Sequence, residues 1–207
     1  MENTRLPPSW IAIAPAVFVV LWATGFVVAG LSAGHVEPLT FLAIRFPIAG
    51  LILVAIALGQ RAVWPKARLA MHAGVAGALL HAGYLGPVYW AVAHGMPAGV
   101  SALIVGLQPL ITTILASLMV GEKITSRHWL GLAVGILGVG LVVSPKLTLD
   151  TLGGITPLTT GICMLGAFSV SLGTVYQKKF ATGLDLASGG AWQYAGATLV
   201  VLIGAMA

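Results

Sequence analysis

Six polar or aromatic side chains lie inside long apolar stretches of this sequence. Arginine and glutamine offer hydrogen bonds, histidine exchanges a proton near neutral pH, and tyrosine and tryptophan combine an apolar ring with a polar edge. These groups suit reversible binding of a small solute better than a covalent step. The six candidates are Trp22, Arg45, His81, Tyr84, Gln108 and Thr112.

The segment from Ala98 to Lys123 carries the clearest of these signals. About 20 residues at a rise of 1.5 Å each cross a bilayer core of roughly 30 Å, so Gln108 is predicted to lie near mid-membrane. Pro109 has no N–H and leaves the carbonyl of Val105 without its helical partner, which hydrocarbon tolerates only beside protein or water. A polar group of the protein, or water, should therefore face the carbonyl of Val105.

Ser101, Gln108 and Thr112 fall within one arc of an ideal helix, at 100° per residue. The sequence thus predicts a polar stripe that lines a cavity. The alternative is a glutamine that bonds a neighbouring helix for packing alone.

Arg45 lies within the second apolar run. Placing a charge at bilayer depth costs about 2.5 to 3.5 kcal/mol on insertion scales, so its side chain should face the helix bundle or a wet cavity. The alternative is that it snorkels outward or bonds loop carbonyls.

The aromatic and histidine candidates each allow two interpretations. His81 and Tyr84 are three residues apart and share a helix face; His81 suits a proton-coupled antiporter, or it bonds a neighbouring helix as a neutral group. The indole N–H of Trp22, in the middle of the first apolar run, needs a cavity water, a solute or a carbonyl as its partner. Tyr89 and Trp90 are interpreted as anchors at the membrane interface.

Composition identifies an integral membrane protein. Hydrophobic residues make up 58% of the 207 and charged residues only 7%, against about 25% charged in soluble domains. The single cysteine, Cys163, allows no disulfide framework and is predicted to be buried and inert. The sequence has no basic stripe that would suggest nucleic-acid binding. Its histidines are dispersed and no aspartate or glutamate lies deep in a predicted span, so we expect no metal site, no cofactor and no enzymatic activity.

Seven apolar runs are predicted to span the membrane as an all-α polytopic bundle. Eight of the ten lysines and arginines fall on one side of it, with Lys146 on the other and Arg45 inside a span. The positive-inside rule then places the N-terminus in the cytoplasm. The predicted spans are residues 11–31, 38–58, 69–89, 98–120, 129–143, 156–175 and 187–207.

A weak internal repeat has a spacing of 148 residues. It pairs Glu37 with Asp185 and Arg45 with Gln193, and its register holds across two spans and their loop. Five spans separate the copies, so the second copy must run inverted through the membrane, as in many secondary transporters. We therefore expect residues 1–147 to form a first five-helix repeat and 148–207 to begin a second, as part of a ten-span protein.

Several short motifs, in order, resemble the EamA domain of the drug/metabolite transporter superfamily. They are Leu21-Trp22-Ala23-Thr24-Gly25-Phe26, Arg45-Phe46, Gln108-Pro109-Leu110, Gly121-Glu122-Lys123, and Gly131 with Gly135 and Gly138.

The resemblance implies a bacterial inner membrane exporter of amino acids or related small metabolites. It would work by alternating access through a central cavity, with proton or solute counter-transport, and Arg45 could contact a substrate carboxylate. The alternatives are a passive channel, a structural membrane subunit or, least favoured, an intramembrane enzyme. The Gly131 and Gly135 pair could also serve a face between two copies.

Overall fold

A computed structural model of the protein describes residues 8–147 and 154–206. These ranges form an all-helical bundle, which confirms the predicted fold class. The elements are α1 (Pro8–Ser32), α2 (Pro38–Gly59), α3 (Ala67–Gly77), a π-helical turn (Ala78–Ala82), α4 (Gly83–Ala93), α5 (Ala98–Val105), α6 (Gln108–Val120), α7 (Ser126–Leu147), α8 (Pro157–Phe180) and α9 (Leu186–Ala205).

Six helical segments in the described ranges are long and apolar enough to cross a membrane. Two of them are composite, because α3, the π-turn and α4 form one and α5 with α6 forms another. The predicted fifth span falls on α7, whose apolar stretch, His128–Gly138, is shorter. The spans are Ile13–Ser32, Pro38–Gly59, Ala67–Ala93, Ala98–Val120, Pro157–Phe180 and Leu186–Ala205.

Helices α2 and α9 begin with the same device. The carboxylate of Glu37 accepts the N–H groups of Leu39 and Thr40 at 3.0 and 2.6 Å, and that of Asp185 accepts Ala187 and Ser188 at 2.9 and 3.1 Å. Both caps satisfy N–H groups that have no partner inside their own helix.

The pKa of Glu37 reflects this cap. Burial acts to raise the pKa of the Glu37 carboxyl, but the hydrogen bonds from Leu39 and Thr40 outweigh it and lower the pKa.

Small residues bring the helices into backbone contact. α9 packs along α2 and α3, and α8 packs against α4 and α6. A Cβ added to Gly196 would lie 2.1 Å from the carbonyl oxygen of Gly74, and one on Gly77 would lie 2.0 Å from that of Gln193. Close approach therefore occurs between α3 and α9, whereas a Cβ on Gly131 would meet nothing within 4 Å.

The segment that carries Gln108 is not one continuous helix. α5 ends at Val105 and α6 starts at Gln108, so the break lies at Gly106 and Leu107, just before Pro109. The hydroxyl of Ser171 on α8 donates to the carbonyl of Gln108 at 3.1 Å. This contact joins α8 to the start of α6 beside the break, and the same hydroxyl also lies 2.8 Å from the carbonyl oxygen of Ala167 on its own helix.

Large apolar side chains of α1 and α2 remain exposed, as expected of surfaces that face lipid. The main core instead lies between α4, α5 and α8, where Cys163 is fully buried as a free thiol, as predicted.

Candidate functional site

An open cavity of about 470 Å³ lies between the helices, and five of the six candidate residues line it. Helix α1 provides Trp22, α2 provides Arg45, and α6 provides Gln108. The π-turn and α4 contribute His81 and Tyr84. Thr112 is not among the lining residues. The polar or aromatic lining residues are Phe18, Trp22, Phe26, Arg45, His81, Tyr84, Tyr89, Gln108, Thr174 and Tyr194.

Arg45 is held at the cavity by a chain of hydrogen bonds across three helices. Its Nη1 donates to the hydroxyl of Tyr89 at 3.0 Å, and that hydroxyl donates to the carbonyl of Gly25 at 3.3 Å. Phe41 stacks on the Tyr89 ring with centroids 5.7 Å apart. None of the described lining residues is acidic, so the guanidinium faces the cavity without a countercharge there.

The interpretation of Tyr89 as an interface anchor is wrong. Its side chain is only 2% exposed and bonds Arg45 inside the bundle. No local sequence pattern indicates this contact, because the partner of Tyr89 lies on α2.

His81 reaches the cavity from the π-turn. There the N–H of Gly83 bonds the carbonyl of Ala78, and the hydroxyl of Ser169 on α8 donates to the carbonyl of Leu79 at 2.9 Å. The imidazole stacks on Tyr194 of α9, with ring centroids 4.4 Å apart and planes 9° apart. π-Turns inside α-helices often occur at functional sites.

Trp22 has a protein partner for its indole N–H. Nε1 donates to the hydroxyl of Tyr84 at 3.3 Å, which links α1 to α4 beside the cavity. The Trp22 ring is half-buried and meets Phe18 edge to face, with centroids 5.1 Å apart.

The expected polar stripe on the fourth span does not form. Of its three members only Gln108 lines the cavity, whereas Ser101 is fully buried and the Thr112 hydroxyl is buried without a described partner. An ideal-helix projection assumes unbroken periodicity, and the break at Gly106 and Leu107 removes that condition.

Tyr194 and Thr174 were not identified as site residues from the sequence. The 148-residue repeat pairs Tyr194 with Phe46, and their rings do contact, with centroids 5.9 Å apart. Thr174 on α8 offered no comparable signal. In the described part of the chain, no three His, Cys, Asp or Glu side chains converge as a metal site would need.

Comparison with known proteins gives a consistent set of relatives. A family model described as the EamA-like transporter family matches residues 9–144. The uncharacterized inner membrane transporter YedA of Escherichia coli is 27% identical over 187 residues, which cover 90% of this chain and 59% of that protein. The uncharacterized transporter YvbV of Bacillus subtilis is 27% identical, with 87% and 58% covered.

A probable amino-acid metabolite efflux pump of Salmonella typhimurium is 27% identical over 161 residues, which cover 78% of this chain and 51% of that protein. The chain therefore spans between 51% and 59% of the length of these three relatives. No solved structure matches it.

Proposed function

Since the chain belongs to the EamA-like transporter family, we propose that it forms the substrate-binding part of a carrier that exports amino acids or related small metabolites across the bacterial inner membrane. Relatives named as an inner membrane transporter and as a probable amino-acid metabolite efflux pump support this proposal. Six helical segments of spanning length support an integral membrane location.

The observation that carries the proposal is the meeting of Arg45, His81 and Gln108 at one cavity. Its volume of about 470 Å³ lies within the range of roughly 300 to 1,000 Å³ typical of small-molecule sites. A guanidinium with no acidic neighbour in the cavity wall favours an anion, and every amino acid carries a carboxylate. Trp22 and Phe26 offer apolar surface to the rest of such a substrate.

Alternating access requires two units that move against each other around the site. Residues 1–147 are the first unit and 148–207 the start of an inverted second unit in this proposal. The matched acidic caps of α2 and α9, which stand 148 residues apart, support the repeat. The boundary itself adjoins residues 148–153, which lie outside the described ranges.

Proton or solute counter-transport is the coupling that we propose. His81, whose ring lies against Tyr194 in the cavity wall, is the group placed to exchange a proton. A gradient of a second solute should then change the rate of amino-acid flux.

The test is uptake by vesicles that contain the complete product of the gene. Gln108→Leu and Arg45→Gln should each reduce exchange of labelled amino acids at least tenfold, because each removes a polar group from the cavity wall. Arg61→Gln, which removes an arginine outside the cavity, is the matched control and should retain exchange.

Two results would contradict this proposal. Unchanged uptake of every amino acid and related solute in both cavity variants would remove the cavity as the substrate site. Flux that ignores gradients of a second solute would instead favour a passive channel.

A further inference from the structure

A second cavity lies at one end of the bundle, apart from the central one. The connection between α2 and α3 and the connection between α8 and α9 enclose an open cleft of about 640 Å³. Lys66, Arg68 and Lys179 line it, and Asp185 is the one acidic residue in its described wall. The wall is therefore strongly cationic.

Some charged side chains of this cleft already have hydrogen-bond partners, and others are exposed. Asp185 already accepts two N–H groups as the cap of α9, and Lys179 donates to the carbonyl of Met119 at 2.7 Å. Lys66 and Arg68 are exposed, and the ion pair found among the described residues joins two others, Lys178 and Glu122. Lys66 and Arg68 are thus available to an external anion.

The cleft is held in shape by a buried contact. The hydroxyl of Ser188, which is fully buried, donates to the carbonyl of Val63 at 2.9 Å and ties the α2–α3 connection to α9. Lys66 precedes the first turn of α3 without supplying a side-chain cap, so N–H groups of that turn add to the attraction for an anion. The wall of the cleft is therefore already ordered before a ligand binds.

An apolar strip continues from the cations along α3. Arg68, Met71 and Val75 follow spacings of three and four residues and share one helix face. Met71 is 61% exposed and Val75 is 40% exposed, and Trp64, which lines the cleft, is 41% exposed. The order of charge, interfacial aromatic ring and apolar strip matches a phospholipid, with its head group above its acyl chains.

We propose that the cleft bounded by Lys66, Arg68 and Trp64 binds the phosphate of an anionic phospholipid whose acyl chains lie along Met71 and Val75. A free phosphate ion would use the cations but would have no use for the apolar strip. Basic pockets between transmembrane helices on the cytoplasmic side bind anionic head groups. The site is independent of the central cavity and of what that cavity transports.

The experiment is native mass spectrometry of the complete product of the gene, titrated in detergent with phosphatidylglycerol and with phosphatidylcholine of the same acyl chains. The chain should bind phosphatidylglycerol in preference. The double variant Lys66→Gln with Arg68→Gln should weaken that binding about thirtyfold, given the attraction expected for two basic residues near an anionic head group. Exchanging the two cations, Lys66→Arg with Arg68→Lys, should retain binding within about threefold.

The matched control neutralises two exposed cations outside the cleft, Arg61→Gln with Lys123→Gln, and makes the same change in net charge. Equal weakening by both neutralised pairs would overturn the proposal in favour of diffuse surface charge. If millimolar inorganic phosphate displaced bound phosphatidylglycerol as effectively as added lipid does, the site would be assigned to a free anion. That result would also overturn the proposal. Equal binding of both lipids would do the same.

Discussion

At the residue scale, the extra residue in the π-turn leaves a backbone carbonyl without its helical donor, and a side chain of another helix replaces that donor. Because the N–H of Gly83 bonds Ala78, the carbonyl of Leu79 loses its usual α-helical donor. Ser169 replaces that donor from α8. The same turn presents His81 to the cavity, so the position of the imidazole depends on a hydroxyl in a different span.

Replacement of Ser169 by alanine should therefore destabilise the protein by about 1 to 3 kcal/mol, because a buried carbonyl loses its partner. Unfolding in detergent, followed by circular dichroism, would measure this change. Thr24→Ala is the control, since the Thr24 hydroxyl is exposed and bonds its own helix at Leu21; it should change stability by less than about 0.5 kcal/mol. Equal effects of the two changes would show that Ser169 is not a special partner.

The depth at which a polar side chain lies in the membrane can be predicted from the apolar run around it. Arg45, His81 and Gln108 were identified in this way, and all three line one cavity. Thr112 and Tyr89 were misjudged because their surroundings depend on a helix break and on partners in other spans. Tyr194 lies on α9 and stacks on His81 of the π-turn, and no local sequence pattern predicts this contact between distant segments.

At the element scale, the contact between α3 and α9 depends on the absence of side chains. Gly196→Ala should destabilise the bundle by about 1 to 3 kcal/mol, because its Cβ would lie 2.1 Å from the backbone oxygen of Gly74 and force the helices apart. A lower thermal unfolding midpoint in detergent would record this loss.

Gly131→Ala provides the comparison on α7. Its Cβ would meet nothing within 4 Å, so higher helix propensity should make this change neutral or stabilising by up to about 1 kcal/mol. A Gly196→Ala protein as stable as the Gly131→Ala protein would contradict the close contact between α3 and α9.

The cap of α2 should also make stability depend on pH. The pKa of the Glu37 carboxyl is lowered in the folded protein from its ordinary value of 4.5, so the stabilising effect of the charged cap is complete above that value and is lost as the pH falls through the lower folded value. Glu37→Ala should cost about 1 kcal/mol at pH 7 and remove this part of the acid sensitivity.

Thermal melts between pH 7 and pH 3 would measure the difference between the Glu37→Ala protein and the parent. The difference should shrink toward acid pH. A constant gap over that range would exclude a contribution from the charge of Glu37.

At the scale of the whole molecule, the predicted orientation can be tested by chemical labelling. Lys123 is exposed in the connection after α6, and His35 is exposed in the connection between α1 and α2, at the opposite ends of their spans. With the N-terminus in the cytoplasm, a cysteine at position 123 should react with a membrane-impermeant maleimide only from the cytoplasmic side, and one at position 35 only from outside. The reversed pattern would contradict that orientation.

Six of the seven predicted spans are found as helical segments of spanning length, because hydrocarbon imposes both the length and the composition of a spanning helix. The predicted fifth span, on α7, has a shorter apolar stretch. The packing of those helices did not follow from the sequence. The close contacts use Gly74, Gly77 and Gly196 rather than the pair at Gly131 and Gly135, since many small residues satisfy the same spacing. Arg5 and the side chains of Arg127 and Lys146, which also support the predicted orientation, lie outside what the structure describes.

The sealed position of Cys163 has a practical consequence for spectroscopy. Cys163 is the only cysteine in the sequence, and its thiol is fully buried within the main core. Nitroxide or fluorophore pairs could be attached to introduced cysteines on any two connections while the native residue stays in place. Distances between such probes would then report whether the spans rearrange when an amino acid is added.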